Sequence, residues 1–257
     1  MFELLQNLLK DHEKGVFTFD AFSLCHILYM LLIIGGIVGV FFLFRKKDQE
    51  TKSKVVDRVV SIALGLYIAD FFLMPFSEGA IDIGKLPFHI CTLMSIMVFI
   101  SRRCKKLEKF RASFTMMGLI GALMYLTYPS GVSSADGYSY RIVQTVLYHG
   151  LMIAQGVLAL AFGDVKLSWK NIVYDVIAIA CMSLWAVIGN VAYGTYTPEG
   201  LDSYNWFFVI SDPFGVFSDK VGQFVLPFAM IVVISIMDVL IYAINFGVRK
   251  LTCKENA

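Results

Sequence analysis

Charged residues are scarce in this chain. Asp, Glu, Lys and Arg together make up 16% of its 257 residues, whereas hydrophobic residues make up 58%. An ordinary soluble domain carries about 25% charged residues, so this composition excludes that class and predicts an integral membrane protein. The net charge of +2 gives no sign of nucleic-acid binding, because the basic residues occur in short loops beside apolar runs. Membrane lipids are therefore the expected partners.

Paired cysteines and local metal motifs are also missing. The five cysteines are an odd number and show no paired spacing, which argues against a disulfide framework. No HExxH or similar spacing brings histidines together within one helix. We therefore expect neither a cofactor nor a resident metal, although ligands from separate helices keep a zinc site open as an alternative.

Seven apolar runs are present, each of roughly the length that crosses a bilayer as a helix, about 17 to 25 residues. They predict an all-α, polytopic membrane protein with a bundle of seven transmembrane helices. The expected spans are Ala21–Phe44, Val55–Pro75, Leu86–Ser101, Ala112–Pro129, Ile142–Phe162, Ile172–Tyr193 and Val221–Phe246.

The basic residues predict the orientation. Of the 22 Lys and Arg residues, 17 fall in alternate connections and the carboxyl tail, which places the amino end outside and the carboxyl end in the cytoplasm. We expect an amphipathic interfacial segment at residues 1–20, a transmembrane domain at 21–248 and a cytoplasmic tail at 249–257. A plasma membrane is the expected location.

Ionisable side chains occur inside four of the apolar runs. His26, His89 and His149 lie near the outer ends of three predicted spans, and Asp70 lies near the outer end of a fourth. Such groups are costly at membrane depth and rarely face lipid. They predict one pocket that opens toward the outer leaflet and includes His26 and Asp70 as substrate-binding groups. The alternative is three unrelated histidines, each hydrogen-bonded to a neighbouring helix or lying at the headgroup level.

The longest connection, residues 194–220, is rich in aromatic residues and carries its acids outside. A free loop would not be this apolar, so we expect an extracytoplasmic lid that supplies Asn205 or Asp212 to the pocket. A segment of the interfacial aromatic belt is the alternative.

The third predicted span carries the candidate nucleophiles. If the helix includes His89, Thr92 shares its face and Cys91 lies about 200° around the axis. His89 could then orient Thr92, whereas Cys91 would need His149 or His26 as its base. The alternative for Cys91 is a small buried hydrophobic residue.

Two sets of small residues have the spacing of close helix contacts. Gly35 and Gly39 form a small-xxx-small pair in the first span, and Gly118, Gly121 and Ala122 form a second small face in the fourth. Both sets predict close approach of a neighbouring helix.

Five short motifs carry a family resemblance: FSLCHILY, LPFHICTL, GLIGALMYLTYP, LYHGLMI and NWFFVISDP. The series resembles that of the YwaF-like bacterial integral membrane proteins, which are similar to the animal transmembrane protein 164. That protein is described as a membrane acyltransferase that acts on phospholipids through a cysteine. Its cysteine directly precedes the histidine of the third-span motif, a position held here by Phe88, so that Cys91 is the nearest thiol. The matching positions are His26, His89, Cys91, Pro129, His149, Asn205 and Pro213.

Three hypotheses follow from the residues and the resemblance. The first is a lipid acyltransferase or acyl-ester hydrolase with catalytic residues drawn from His89, Cys91, Thr92 and His149. The second is a zinc hydrolase built on His26, His89, His149 and Asp70. The third is a carrier or sensor in which the histidines bind ligand or protons.

Overall fold

The computed structural model describes residues 17–78, 81–129, 132, 135–197, 200–210 and 219–254. Most of the predicted interfacial segment lies outside these residues, as do Asp212 and the end of the predicted tail.

The described residues form a bundle of seven α-helices, which confirms the predicted all-α class. The helices are α1 (Leu24–Phe44), α2 (Gln49–Glu78), α3 (Ile90–Ser101), α4 (Arg111–Thr127), α5 (Tyr140–Ala161), α6 (Asn171–Tyr193) and α7 (Asp219–Lys254). Short 3₁₀ turns occur at Ile83–Lys85, Lys105–Phe110 and Trp206–Phe208.

Two small antiparallel strand pairs lie at helix ends and were not predicted. β1 (Thr18–Phe19) pairs with β2 (Ala135–Asp136), and β3 (Thr195–Thr197) pairs with β4 (Gly200–Asp202). The first pair ties the approach to α1 to the approach to α5. The second folds the chain back directly after α6.

Five helical stretches in the described residues are long and apolar enough to cross a membrane. They are Leu24–Phe44, Lys105–Thr127, Tyr140–Ala161, Asn171–Tyr193 and Phe224–Val248. α3 is apolar but has 12 residues, about 18 Å of helix at 1.5 Å per residue. The protein is therefore a multi-pass membrane protein, and the count of seven spans and the orientation stay predictions.

The start of the third predicted span is wrong by four residues. The span was expected from Leu86, but α3 begins at Ile90 and His89 is its N-cap, with φ −80° and ψ 148°. Leu86 is extended at ψ 154°, as expected for a residue that precedes proline, because the ring of Pro87 disfavours the helical region there. His89 therefore does not share a helical face with Thr92.

The centre of the bundle is formed by α4 and α5, where the glycine prediction is confirmed. A Cβ placed on Gly121 would lie 2.6 Å from Ile90 Cγ2, and one on Gly118 would lie 3.4 Å from Met94 Cβ. Both contacts are with α3, so these glycines allow α3 and α4 to pack closely.

α1 lies at the edge of the bundle, where the other glycine prediction is wrong. No heavy atom of the described residues lies within 4 Å of a Cβ placed on Gly35 or Gly39. In α1, Cys25 and His26 are the buried residues. Most of this helix therefore presents apolar side chains outward.

A network of charges closes the end of the bundle where α3 finishes, which we call the basic end. Arg102 Nη1 donates to Asp164 Oδ2 at 2.6 Å, and its Nε donates to Asp57 Oδ1 at 3.1 Å. Ser53 Oγ also donates to Asp164, at 2.6 Å. The side chains of Arg102 and Asp164 are 6% and 4% exposed, so this network fixes α2, α3 and the end of α5 to one another.

Candidate functional site

The polypeptide before α3 is held in place by aromatic side chains. Trp185 Nε1 donates to Pro87 O at 2.9 Å, and the ring of Phe88 stacks on Trp185 with centroids 4.9 Å apart. Phe88 fits against α6 because Gly189 lacks a Cβ, which would lie 2.4 Å from its ring. These contacts fix the backbone that leads into His89.

Residues 203–208, which we call the cover segment, fold back onto this region. Trp206 is fully buried, and its Nε1 donates to Gly84 O at 2.8 Å. Its ring packs on Phe88 and Tyr204, with centroids 4.7 and 4.9 Å away.

One buried amide of α6, that of Asn190, holds the cover segment. Its Oδ1 accepts from Ser203 Oγ at 2.7 Å and from Trp206 N at 3.1 Å. Its Nδ2 donates to Trp206 O at 3.1 Å and to Ala186 O at 2.8 Å. Three of these four hydrogen bonds reach residues of the cover segment, so the side chain of Asn190 holds the segment against α6.

The cover segment contains strained backbone next to His89. Asn205, Phe207 and Phe208 have φ values of 49°, 62° and 53°, a region that costs a residue other than glycine about 1–3 kcal/mol. The N–H of Phe207 points at His89 Nδ1 over a long 3.5 Å. Strain of this kind is typical of functional sites.

His149 has a defined tautomer. Its Nδ1 lies 2.8 Å from Thr145 O, one turn back on α5. A carbonyl oxygen can only accept, so Nδ1 carries the proton and Nε2 carries the lone pair. The imidazole also stacks on Tyr125 of α4, with centroids 4.0 Å apart and planes 9° apart. His149 is therefore a positioned neutral base.

His89 shows the opposite tautomer. Because the N–H of Phe207 donates to Nδ1, the ring proton of the neutral imidazole belongs on Nε2. His89 is close enough to His149 for the two rings to interact electrostatically. The pair thus offers one nitrogen that can accept a proton and one N–H that can donate a hydrogen bond.

Cys91 belongs to the same cluster. Its side chain is 7% exposed, and a Cβ on Gly121 would lie 3.3 Å from its Sγ. Tyr125, one turn along α4 from this glycine, interacts with the thiol and stacks on His149. Tyr148 Oη donates to Cys91 O at 3.0 Å, which fixes the backbone of this turn.

The hydroxyl of Thr92 is hydrogen-bonded to backbone. Its Oγ1 donates to His89 O at 3.0 Å, the carbonyl three residues earlier. This bond is common where a threonine lies in the first turn of a helix. The hydroxyl is therefore occupied by backbone, and the geometry favours Cys91 over Thr92 as nucleophile.

His26 has both ring nitrogens engaged. Nδ1 accepts from the N–H of Phe22 at 2.9 Å, and Nε2 lies 2.7 Å from Leu126 O at the end of α4. Phe22 has a φ of 62°, so the histidine also stabilises a strained turn. Its predicted substrate-binding role stays a prediction, whereas the hydrogen bonds describe an anchor between α1 and α4.

Asp70 is paired with a lysine rather than with a histidine. Lys85 Nζ lies 2.5 Å from Asp70 Oδ2, and their side chains are 23% and 7% exposed. Tyr67 Oη donates to Lys85 O at 2.8 Å, and Tyr140 hydrogen-bonds to Asp70. The carboxylate is thereby neutralised within its own small cluster. Its substrate-binding role also stays a prediction.

The remaining predicted groups are in the region of residues 205–212. Asn205 starts the 3₁₀ turn at Trp206, and its Oδ1 accepts from the N–H of Ile210 at 3.0 Å. Asp212 lies outside the described residues. The structure therefore places His89 near His149 and places Cys91 near Tyr125, the residue on which His149 stacks, with Asn205 in the cover segment.

A zinc centre receives no support from the part of the chain that the structure describes. No group of three or more His, Cys, Asp or Glu side chains lies there in an arrangement that could hold a metal ion. The nitrogens of His26 are used by backbone partners and Asp70 is used by Lys85, so the proposed ligand set is dispersed.

The model of the TMEM164 family matches residues 21–245, a range that includes α1 to α6 and most of α7. The chain belongs to the TMEM164 family. No curated protein and no solved structure matches it.

Three groups important to the geometry of this TMEM164-family protein were not identified from the sequence. They are Tyr125, Lys85 and Asn190. Tyr125 lies within the quoted GLIGALMYLTYP motif, and Lys85 is the one basic residue in its connection. Those two signals were available, whereas the role of Asn190 depends on a fold-back that no local pattern shows.

Proposed function

We propose that this TMEM164-family protein transfers or hydrolyses the acyl ester of a membrane lipid at the cluster of His89, Cys91 and His149. The observation that carries the proposal is the geometry of His149. Its proton is fixed on Nδ1 by Thr145 O, and its ring stacks on Tyr125, which interacts electrostatically with Cys91. Nucleophilic acyl chemistry requires a base that can reach the nucleophile, and Tyr125 is a neighbour that His149 and Cys91 share.

His149 and Cys91 take the catalytic roles. In apolar surroundings a thiol does not ionise without a partner, so Nε2 of His149 takes the proton as Sγ attacks the ester carbonyl carbon. The bond from that carbon to the leaving alcohol breaks, and the protonated His149 returns the proton to the alcohol. The acyl group is then held as a thioester on Cys91 until water or a second lipid alcohol accepts it.

His89 is the group we propose for the developing oxyanion. Its Nε2–H is a donor in the tautomer that the N–H of Phe207 favours, and a preorganised donor acts where charge develops on the carbonyl oxygen. Asn205 was expected to reach the pocket from the lid, and its Oδ1 accepts from the N–H of Ile210. That bond holds the amide within the segment next to His89.

The site suits a lipid because of where it lies. Cys91 and His149 are on helices whose other buried side chains are mainly apolar, so an acyl chain can lie beside them while its ester reaches the polar groups. Fully soluble esters would gain nothing from these surroundings.

The test uses purified protein in lipid nanodiscs that contain phosphatidylcholine, with and without a lysophospholipid acceptor. We expect His149→Ala to reduce acyl turnover by about a hundredfold or more, the range for loss of a general base. Cys91→Ala should abolish turnover and the acyl adduct that mass spectrometry detects on the Cys91 peptide.

Cys25→Ala is the matched control, because Cys25 is also a buried free thiol, at 1% exposed, but packs in a separate cluster. It should leave turnover unchanged. Full activity in Cys91→Ala would exclude a thioester on this residue. If folded wild-type protein gives no turnover at all, the carrier or sensor hypothesis replaces this one.

We also propose that the amino end faces the outside of a bacterial plasma membrane and that the basic end faces the cytoplasm. The distribution of 17 of the 22 basic residues supports this orientation. Cys104 lies at the basic end and is partly exposed. A membrane-impermeant thiol reagent should label it in opened cells but not in intact cells, with Cys104→Ser as the control. Labelling in intact cells would reverse the orientation.

A further inference from the structure

Two carboxyl groups are buried in the bundle away from the acyl site. Asp175 lies in the first turns of α6 and Asp238 lies in α7, and each is 0% exposed. The two side chains are within hydrogen-bonding reach of each other. Each comes from a helix that is apolar enough to span the membrane.

Their hydrogen bonds are unequal. Tyr242 Oη donates to Asp175 Oδ2 at 2.6 Å. Within the described residues, Asp175 Oδ1 and both carboxyl oxygens of Asp238 have no donor. Asp175 is thus stabilised as the charged partner, whereas Asp238 has nothing but the other carboxyl group to bond to.

A third helix contributes an independent polar group. Ser113 of α4 is 1% exposed and lies beside Asp175. Its hydroxyl is near enough to act as a donor to that carboxyl group, although it forms no hydrogen bond of good geometry with any described residue. Asp175 therefore has neutral donors close to it on α4 and α7, whereas Asp238 has no donor among the described residues.

The charges around the pair restrict what this can be. The titratable groups that face Asp238 in the described residues are Asp175 and Tyr242, from α6 and α7, while α4 contributes the uncharged Ser113. No basic side chain there compensates the two acids. Two adjacent carboxylates cannot both be ionised in such surroundings, so one positive charge must be shared between them.

We propose that Asp175 and Asp238 form a proton-binding site, in which Asp238 carries one exchangeable proton and through it donates a hydrogen bond to the Asp175 carboxylate. A proton satisfies the two carboxyl groups at once, since the acid supplies the missing donor and the carboxylate accepts. Tyr242 determines which of the two acids holds the proton, because its hydroxyl donates to Asp175 and stabilises the carboxylate there. This site is independent of the acyl chemistry proposed above.

Aromatic side chains partly close one side of the Asp175–Asp238 pair. Tyr242, Phe246 and Trp169 form an aromatic layer next to the pair, with the rings of Trp169 and Phe246 stacked at 4.9 Å. Ser235 and Asn245 lie on the same face of α7 as Asp238 and Tyr242, and each has a buried oxygen without a partner among the described residues.

Infrared spectroscopy of the protein in nanodiscs tests the proposal. Wild-type protein at neutral pH should show the carbonyl stretch of a buried protonated carboxylic acid. Labelling with ¹³C-aspartate should shift that band, an assignment that needs no variant. Asp238→Asn should remove the band, and Tyr242→Phe should shift it because Asp175 loses its donor.

Asp202→Asn is the matched control, because Asp202 is an exposed acid in β4, and it should leave the band unchanged. A band that persists in both Asp175→Asn and Asp238→Asn would overturn the proposal. A wild-type spectrum without the band would also overturn it. In that case the unfolding temperature should be measured in sodium chloride and in choline chloride. A rise in sodium chloride alone would assign a cation to the pair instead of a proton.

Discussion

His26 and His149 look alike in the sequence and differ in what they can do. Both lie in apolar runs, and they are 3% and 8% exposed. His26 uses both ring nitrogens for backbone partners, whereas the described residues give His149 one hydrogen bond, through Nδ1. A buried histidine in a membrane protein is therefore informative about function only after its hydrogen bonds have been counted.

The acidic groups show the same contrast. Asp70 is neutralised by Lys85, while Asp175 and Asp238 face each other without a basic residue among the described neighbours. In both comparisons one group has all its hydrogen-bond or charge partners within the protein, as His26 and Asp70 do. The other, His149 or the Asp175–Asp238 pair, can still accept a proton. The following predictions test that division, from the largest expected effect to the smallest.

The two histidines should separate activity from stability. We expect His149→Gln to lower acyl turnover by about 10²- to 10⁴-fold, because it removes the base, with little change in unfolding temperature. His26→Gln should lower the unfolding temperature, since it breaks the link between α1 and α4, and leave turnover per folded molecule unchanged. Nanodisc assays combined with thermal unfolding measure both. A loss of turnover in folded His26→Gln would return His26 to the site.

Removing the lysine partner of Asp70 should lower the free energy of unfolding. Lys85→Met leaves a buried carboxylate without its counter-charge, and breaking one side of a buried ion pair destabilises by about 3–5 kcal/mol. The double variant Asp70→Asn with Lys85→Met should recover much of this loss. Denaturant unfolding in detergent provides the free energies. An unchanged Lys85→Met protein would show that Asp70 is not held by this pair.

The two glycine pairs should respond differently to an added methyl group. Gly121→Ala places a Cβ 2.6 Å from Ile90 Cγ2, and overpacking of this kind costs about 1–3 kcal/mol. It should also reduce turnover, because the same turn of α3 carries Cys91. Gly39→Ala meets no described atom within 4 Å and should change neither quantity. Equal effects at both positions would contradict the contrast between the centre and the edge of the bundle.

The smallest effect concerns the support of His89. Trp185→Phe keeps the aromatic stack on Phe88 but removes the hydrogen bond to Pro87 O. We expect a loss of about 1 kcal/mol or less, as for a single neutral hydrogen bond, and a modest fall in turnover. Thermal unfolding and the acyl assay would show both. A large fall in turnover without destabilisation would mean that Trp185 contacts the lipid itself.

Much of the fold could be predicted because hydropathy is a local property. Each of the seven apolar runs corresponds to a helix, and the glycine contacts at Gly118 and Gly121 follow from residue size. The start of α3 was misplaced because the span was taken to begin at Leu86. Pro87 keeps Leu86 out of the helix, and the ring contacts of Phe88 with Trp185 and Trp206 hold the turn before Ile90, which no local pattern shows.

The site could be predicted in part. Burial and depth indicated His89, Cys91 and His149, but the tautomers of the two histidines depend on Thr145 O and on the N–H of Phe207. Backbone groups carry no sequence signal, so no pattern could distinguish His26 from His149. Asn190 was missed for a related reason, since its partners in the cover segment come near only after the chain reverses at β3 and β4.

The exposure of α1 makes this helix sensitive to the thickness of the bilayer. Its 21 residues span about 31 Å at helical rise, close to the hydrocarbon thickness of a typical membrane. The hydrogen bond from His26 to Leu126 O holds one end of α1 against α4, and the apolar outward face of α1 is expected to contact lipid. A thinner membrane therefore favours a greater tilt of α1 about that fixed end. Hydrophobic mismatch acts on this helix more directly than on α4 or α5, which the rest of the bundle shields.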